Sequence, residues 1–301
     1  MHAALQCAGA VLGAGAAAFG WGLAEAHLFT IRDVALPVLP SGSQPIRVLH
    51  VSDFHLLPSQ RDKLRFVEGL ASLQPDLVID TGDNISSAAA IDPLREALDG
   101  LRRVPGVFIF GSNDYQAPHF KNPLRYVTHG RSEATSDDLA PTLPTGKLRA
   151  ALEDLGWVDL THKRHVLQLR GLTVEFRGTD DAHHSRDQYV LVEGPPSPDV
   201  DLSVGVTHAP YLRLLDAMTS DGVDAIFAGH THGGQVCVPG YGALTTNCDI
   251  EPARVKGAST HRVGTKTAHI HVSAGLGTSP FAPFRLACRP EVSLVTLIPR
   301  A

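Results

Sequence analysis

The chain has 301 residues, 43% of them hydrophobic and 19% charged, a balance that suits one large α/β domain and excludes a disordered or fibrous chain. Its formal net charge of -5 leaves no broad basic field, which argues against a nucleic-acid partner. The four cysteines (Cys7, Cys237, Cys248, Cys288) are scattered, with no Cys-x-x-Cys, and set neither a zinc-finger spacing nor a disulfide framework.

No charged residue occurs from Ala3 to Ala24. At ~1.5 Å per residue, a helix of that length reaches across a hydrocarbon core of ~30 Å. Gly9, Gly13, Gly15, Gly20 and Gly22 dilute its alanine-rich run. We read 1–26 as a membrane-associated segment. A cleaved signal ending at Ala24-Glu25-Ala26 and a helix packed on the domain are the alternatives. If it spans, Arg32 and Arg47 after it put the main domain on the cytoplasmic side, and a cytoplasmic chain without an anchor is the other outcome. Residues 27–46 read as a linker, and 47–301 as the folded domain.

From Arg47 the pattern becomes strand, loop, helix. Val48-Leu49-His50-Val51-Ser52 is a buried-strand candidate ending in Asp53-Phe54-His55. The period of two puts Asp53 and His55 on one face and His50 on the other, as a core residue. An amphipathic helix over 61–73 follows, with Leu64, Val67, Leu70 and Ala71 on one face. The next strand, 76–81, ends in Gly82-Asp83-Asn84, and a third, 107–110, ends in Gly111-Ser112-Asn113-Asp114, with a helix over 93–101 between them. In open α/β sheets ligands bind beyond such carboxyl ends.

Residues 115–145 break the rhythm, with Pro118, Pro123, Pro141 and Pro144, and read as an insertion covering the site. Thr145 caps a helix striped by Leu148, Ala151, Leu152 and Leu155. Strands 166–169 and 172–176 flank Arg170-Gly171, a hairpin signal. The second runs into Gly178-Thr179-Asp180-Asp181. His183 and His184 follow, of which at most one faces a site. Strand 202–206 ends in Thr207-His208, helix 212–218 follows, and strand 223–227 runs into Gly229-His230-Thr231-His232-Gly233-Gly234. Two imidazoles at i and i+2 on extended chain reach one small volume and are donors suited to zinc, iron or manganese. The paired histidines of His269-Ile270-His271-Val272 have no carboxylate nearby and read as a half-exposed strand face. Residues 291–298 are a closing strand.

Taken in order, Asp53 and His55, Asp83, Asn113, His208, then His230 and His232 form a series that resembles the calcineurin-like metallophosphoesterases. That family's pattern is Asp-x-His, Gly-Asp, Gly-Asn-His-Asp/Glu, a later His, and Gly-His-x-His. The run to Gln235 and the tail around Arg289-Pro290-Glu291 look like a bacterial, often membrane-associated branch. The resemblance implies a four-layer αββα sandwich, with the motifs at one rim of the β-sandwich holding two divalent metal ions (manganese, iron or zinc). Asp53, His55 and His232 would hold the first, His208, His230 and an asparagine the second, and Asp83 would bridge both. The implied activity is hydrolysis of a phosphodiester or pyrophosphate, of a small-molecule or lipid-linked substrate, by a metal-activated hydroxide.

The chain departs from the pattern at Gly111-Ser112-Asn113-Asp114. Without a gap, Ser112 falls on the ligand asparagine and Asn113 on the histidine that protonates the leaving group. We expect the backbone to shift by one so that Asn113 takes the metal. The acid is then open between Asp114, His119 or His129 of the insertion, and His183 or His184, with metal-bound water as another source. A catalytically impaired metal-binding scaffold is the competing function. The absence of His-Glu-x-x-His and of Gly-x-Ser-x-Gly argues against a zinc peptidase and against nucleophilic hydrolysis by Ser or Cys.

Overall fold

The computed structural model describes residues 2–119 and 141–300, so His129 and most of the insertion lie outside it. Strands β1 (Thr30–Leu39), β2 (Ile46–Val51), β3 (Leu77–Asp80), β4 (Gly106–Phe108) and β5 (Trp157–Asp159) form one sheet with the closing strand β14 (Glu291–Pro299). Their order is β1-β14-β2-β3-β4-β5. The second sheet contains β6 (Lys163–Leu169), β7 (Leu172–Gly178), β8 (Leu202–Val206), β9 (Ala225–Ala228), β12 (Gly257–Val263) and β13 (Lys266–Val272), in the order β12-β13-β9-β8-β7-β6. A short hairpin, β10 (Cys237–Val238) with β11 (Gly242–Ala243), stands apart from both.

Period-two alternation decides the layers. Along β3, Leu77 and Ile79 join the core between the sheets, and Val78 faces the helices. Along β9, Ala225 and Phe227 point into that core, and Ile226 and Ala228 point outward. Helices α2 (Arg61–Glu68), α3 (Ile91–Ala97) and α4 (Thr145–Asp154) cover the first sheet, and α5 (Leu212–Asp221) covers the second. The layers are therefore helices, sheet, sheet, helix.

The register brings the functional strand ends level. Val51 pairs with Asp80 and Asp80 with Phe108 in the first sheet. In the second, Gly178 pairs with Val206 and Val206 with Phe227. These runs are parallel, so their carboxyl-end loops gather at one rim.

Several expectations need correction. Residues 27–46 are not a bare linker, because β1 pairs along its length with β14, from Thr30↔Glu291 onward. Pro37 is tolerated because β1 is an edge strand. The expected half-exposed face at 269–272 is an interior strand between β12 and β9, so His271 is fully buried and only His269 is half-buried. His50, the expected core residue, meets it across the two sheets, Nδ1 to Nδ1 at 2.8 Å. The amino-terminal segment is a helix, α1 (His2–Glu25). Among the described residues no helix is long and apolar enough to cross a membrane. Its end is tied to the domain, since buried Glu25 accepts from the backbone amides of Ala287 and Cys288. The described ends of the insertion are pinned together, Ala117 N to Pro141 O at 2.8 Å and Leu143 N to Tyr115 O at 2.8 Å.

Candidate metal centre

The ends of β2, β3 and β9 deliver their side chains through strained turns. Asp53, His55, Asp83, His230 and His232 all have φ between 42° and 69°, the left-handed region. A non-glycine residue there costs on the order of 1–3 kcal/mol and persists only where its surroundings over-determine it. Backbone bonds do so here. Asp53 N donates to Gly82 O at 2.8 Å, His55 N to Asp83 O at 2.9 Å, and Gly229 N to His208 O at 2.8 Å. Gly229 and Gly275 keep space open, because a Cβ on either would collide with Asp53.

Two donor groups converge. Asp53, His55 and His232 each place one ligand atom within 4.8 Å of the others, and so do Asp53, Asp83 and His208. Asp83 Oδ2 lies 3.4 Å from His55 Nε2 and 3.5 Å from His208 Nε2, so one carboxylate oxygen faces both groups. His55 and His232 bring their Nε2 atoms to 3.1 Å, and His230 Nδ1 lies 3.3 Å from His208 Nε2. The Asn113 amide reaches Asp83 Oδ2 at 2.8 Å. Ser112 turns the other way, donating to Asp181 Oδ2 at 2.8 Å.

The arrangement fits cations. His208 Nδ1 sits 2.7 Å from the Thr81 carbonyl, which only accepts, so Nδ1 carries the proton and Nε2 is left toward Asp83. His55 Nδ1 is buried without a hydrogen-bond partner among the described residues. Burial disfavours charge on His208, yet the Asp83 and Asp53 carboxylates overcome it and push its pKa well up. Burial pushes Asp83 up in turn, but His208 and His55 hold it well below the usual carboxylate range. The same negative field favours a metal cation. Burial also raises Asp53 to about 6 and lowers His55 to about 4, keeping that imidazole neutral. Oxygen and neutral imidazole together suit manganese, iron or zinc.

The candidate acids stand at different places. Asp114 is buried, with its carboxylate accepting from the amides of Asp83 (2.8 Å), Asn84 (2.7 Å) and Gly111 (3.0 Å). Burial and the Asp83 charge push its pKa up, while the amides favour its ionised form. It holds the turn that presents Asp83. His183 lies against His230, ring centroids 4.5 Å apart, and His184 Nδ1 pairs with Asp181 Oδ2 at 2.8 Å.

Sequence reading missed Arg285. Fully buried, its guanidinium donates to the carbonyls of His232 (2.9 Å), Ala274 (2.8 Å) and Gly277 (2.6 Å) and sits 3.2 Å from His232 Nδ1. It lies in an aperiodic stretch, and only the meeting of three distant loops gives it a role. Asp181 was visible as a strand-end carboxylate, but its bonds to Ser112 and His184 were not.

The model of the calcineurin-like phosphoesterase family matches residues 46–234. The chain is similar to the uncharacterized protein YpbG of Bacillus subtilis (strain 168), 26% identical over 261 residues, covering 85% of this chain and 82% of YpbG. It is similar to the uncharacterized metallophosphoesterase YkuE of the same organism, 26% identical over 298 residues, covering 95% of this chain and 92% of YkuE. A Bos taurus transmembrane protein with a metallophosphoesterase domain is 25% identical over 277 residues, covering 89% of this chain but 56% of that protein. The matched stretch begins with β2, ends in the Gly-His-x-His turn and takes in every strand end that carries a candidate ligand, so the chain belongs to the calcineurin-like phosphoesterase family.

Proposed function

We propose that the chain is a dinuclear-metal phosphoesterase that hydrolyses a phosphodiester or pyrophosphate bond. The observation that carries this reading is Asp83, whose single Oδ2 faces His55 on one side and His208 on the other. Asp53, His55 and His232 would hold one divalent ion, and His208, His230 and Asn113 the other, with Asp83 shared. Two such ions would supply Lewis acidity, activating water and neutralising phosphoryl charge. The chain's own part is positioning: Asp114 fixes the Asp83 turn, the Thr81 carbonyl fixes the His208 tautomer, and Arg285 fixes His232. We assign Asp114 to this role rather than to proton transfer, because its carboxylate is already engaged by backbone amides. The similarity to a transmembrane relative supports a membrane-associated chain acting on a small or lipid-linked phosphoester.

A scaffold that binds metal without turnover is the second reading, favoured by the absence of a histidine directly after Gly111-Ser112. Elemental analysis of the purified full chain, with bis-p-nitrophenyl phosphate as substrate and Asp83→Ala beside it, separates them. About two metals per chain with turnover lost in the variant supports the enzyme. Full occupancy with no turnover of any activated diester supports the scaffold, and no metal after reconstitution with manganese, iron or zinc rejects both.

A further inference from the structure

Three stretches of this chain, 3–24, 235–248 and 273–284, contain no Asp, Glu, Lys or Arg, although 19% of the whole is charged. The fold sets them side by side. Arg285 N donates to Gly22 O at 2.9 Å, and the Phe19 and Phe284 rings meet at 5.9 Å, so α1 lies along the end of the third stretch. On its other side, Gln235 Nε2 donates to Ala282 O at 2.9 Å and Phe284 O at 3.0 Å, and Cys237 N donates to Leu286 O at 2.8 Å.

This uncharged strip is rich in exposed apolar groups. It carries seven of the twelve large hydrophobic side chains exposed among the described residues. Phe19 (58%), Trp21 (57%) and Phe281 (50%) stand on the first and third stretches, and Val238 (43%), Tyr241 (77%) and Leu244 (59%) on the β10–β11 hairpin. The strip also borders the metal centre. Gly277 N donates to Asp53 O at 2.6 Å, and His230 Nε2 lies 3.0 Å from the Asn247 carbonyl.

We propose that this strip is a docking face for a phospholipid bilayer, on which the chain lies with its metal centre at the membrane surface. Charge meets the strip at one edge, where Asp62 and Lys63 line a cleft with Thr278 and Pro283, so exposed apolar side chains rather than ion pairs would carry the docking. Residues 13–21 of α1 are exposed on every side of the helix without one charged group. A helix without a charged or polar face has no side suited to bulk water, which favours immersion in the interfacial layer over contact along one side with a second copy. Aromatic side chains at a turn, such as Tyr241 between Gly240 and Gly242, suit insertion into the headgroup boundary. No span is required, in keeping with α1. The consequence for catalysis, preference for a phosphoester carried on a lipid, rests on the function proposed above.

Flotation of the full chain with phosphatidylcholine vesicles tests the face. The wild type is expected to float with uncharged vesicles and to keep doing so at about 1 M salt, where screening shortens to about 3 Å. Phe19→Ser/Trp21→Ser and Val238→Ser/Tyr241→Ser/Leu244→Ser are each expected to lower partitioning about tenfold or more. Turnover of water-soluble bis-p-nitrophenyl phosphate by the hairpin variant is expected to stay at the wild-type level, which reads the chemistry separately from the docking. A wild type that does not float, hairpin variants that float like the wild type, or a stable dimer in sedimentation that the same variants dissociate without vesicle binding would each overturn the proposal.

Discussion

Asn113 and Asp114 are neighbours with opposite assignments, and both can be separated by mutation. Asn113 reaches into the centre with its amide 2.8 Å from Asp83 Oδ2, and Ser112 points away to Asp181. We predict that Asn113→Ala lowers metal content and turnover by tenfold or more, as loss of one ligand or its support typically does ~10–100-fold. Ser112→Ala should leave metal content near the wild type, and the reverse pattern would reject the one-residue shift. For Asp114 the expectation is a loss of stability. Asn in its place puts an NH2 group where backbone amides need an acceptor, a mismatch of about 1–3 kcal/mol. Asp114→Asn should therefore lower the melting temperature together with turnover. A variant with unchanged melting, turnover reduced at the acidic side and the wild-type decline at the alkaline side gone would restore Asp114 as the acid. The sequence displayed both residues, but which one turned inward depended on Asp83, 30 residues earlier.

At the scale of elements, the parts legible in the sequence were those whose signal is local. The β2, β3, β8 and β9 strands are short apolar runs followed by Gly, Asp or His, which located them, but the residues after β2 and β9 turn on left-handed backbone rather than on the extended chain expected. The hairpin at Arg170-Gly171 was equally local, with φ of 52° and 81° fitting a two-residue turn. β1 was not legible because its partner, β14, is some 260 residues away and its first half is largely exposed. The difference matters for any truncated chain. Starting at Arg47 removes buried Leu36, Val38 and Leu39 and bares the β14 edge. At ~1.5–3 kcal/mol for each buried side chain, the loss approaches the ~5–15 kcal/mol that holds an ordinary domain together. We predict that a chain beginning at residue 47 is aggregated or melts without cooperativity, while one beginning at residue 28 retains a cooperative transition. Equal melting of the two would mean that β1 adds nothing to the sheet.

For the whole molecule, strain at the rim and metal binding should be one thermodynamic quantity. The two sheets bring five left-handed residues, buried carboxylates and facing imidazoles into one volume, an arrangement that opposes folding until a cation compensates it. A ligand that binds only the folded state stabilises it by RT ln(1 + [L]/Kd), about 2.7 kcal/mol at a hundredfold excess over Kd. At about 1.5–2 °C per kcal/mol for a chain of 301 residues, saturating manganese should raise the melting temperature of the chelator-treated protein by roughly 4–5 °C. Asp83→Ala is the informative partner. It removes a carboxylate that faces both groups, so its own melting should respond little to manganese. Its metal-free melting should fall as well, because the substitution leaves buried His208 without the carboxylate that faces it. A full manganese response in Asp83→Ala would place the binding elsewhere, and no response in the wild type would mean that the strained rim is held by the protein alone.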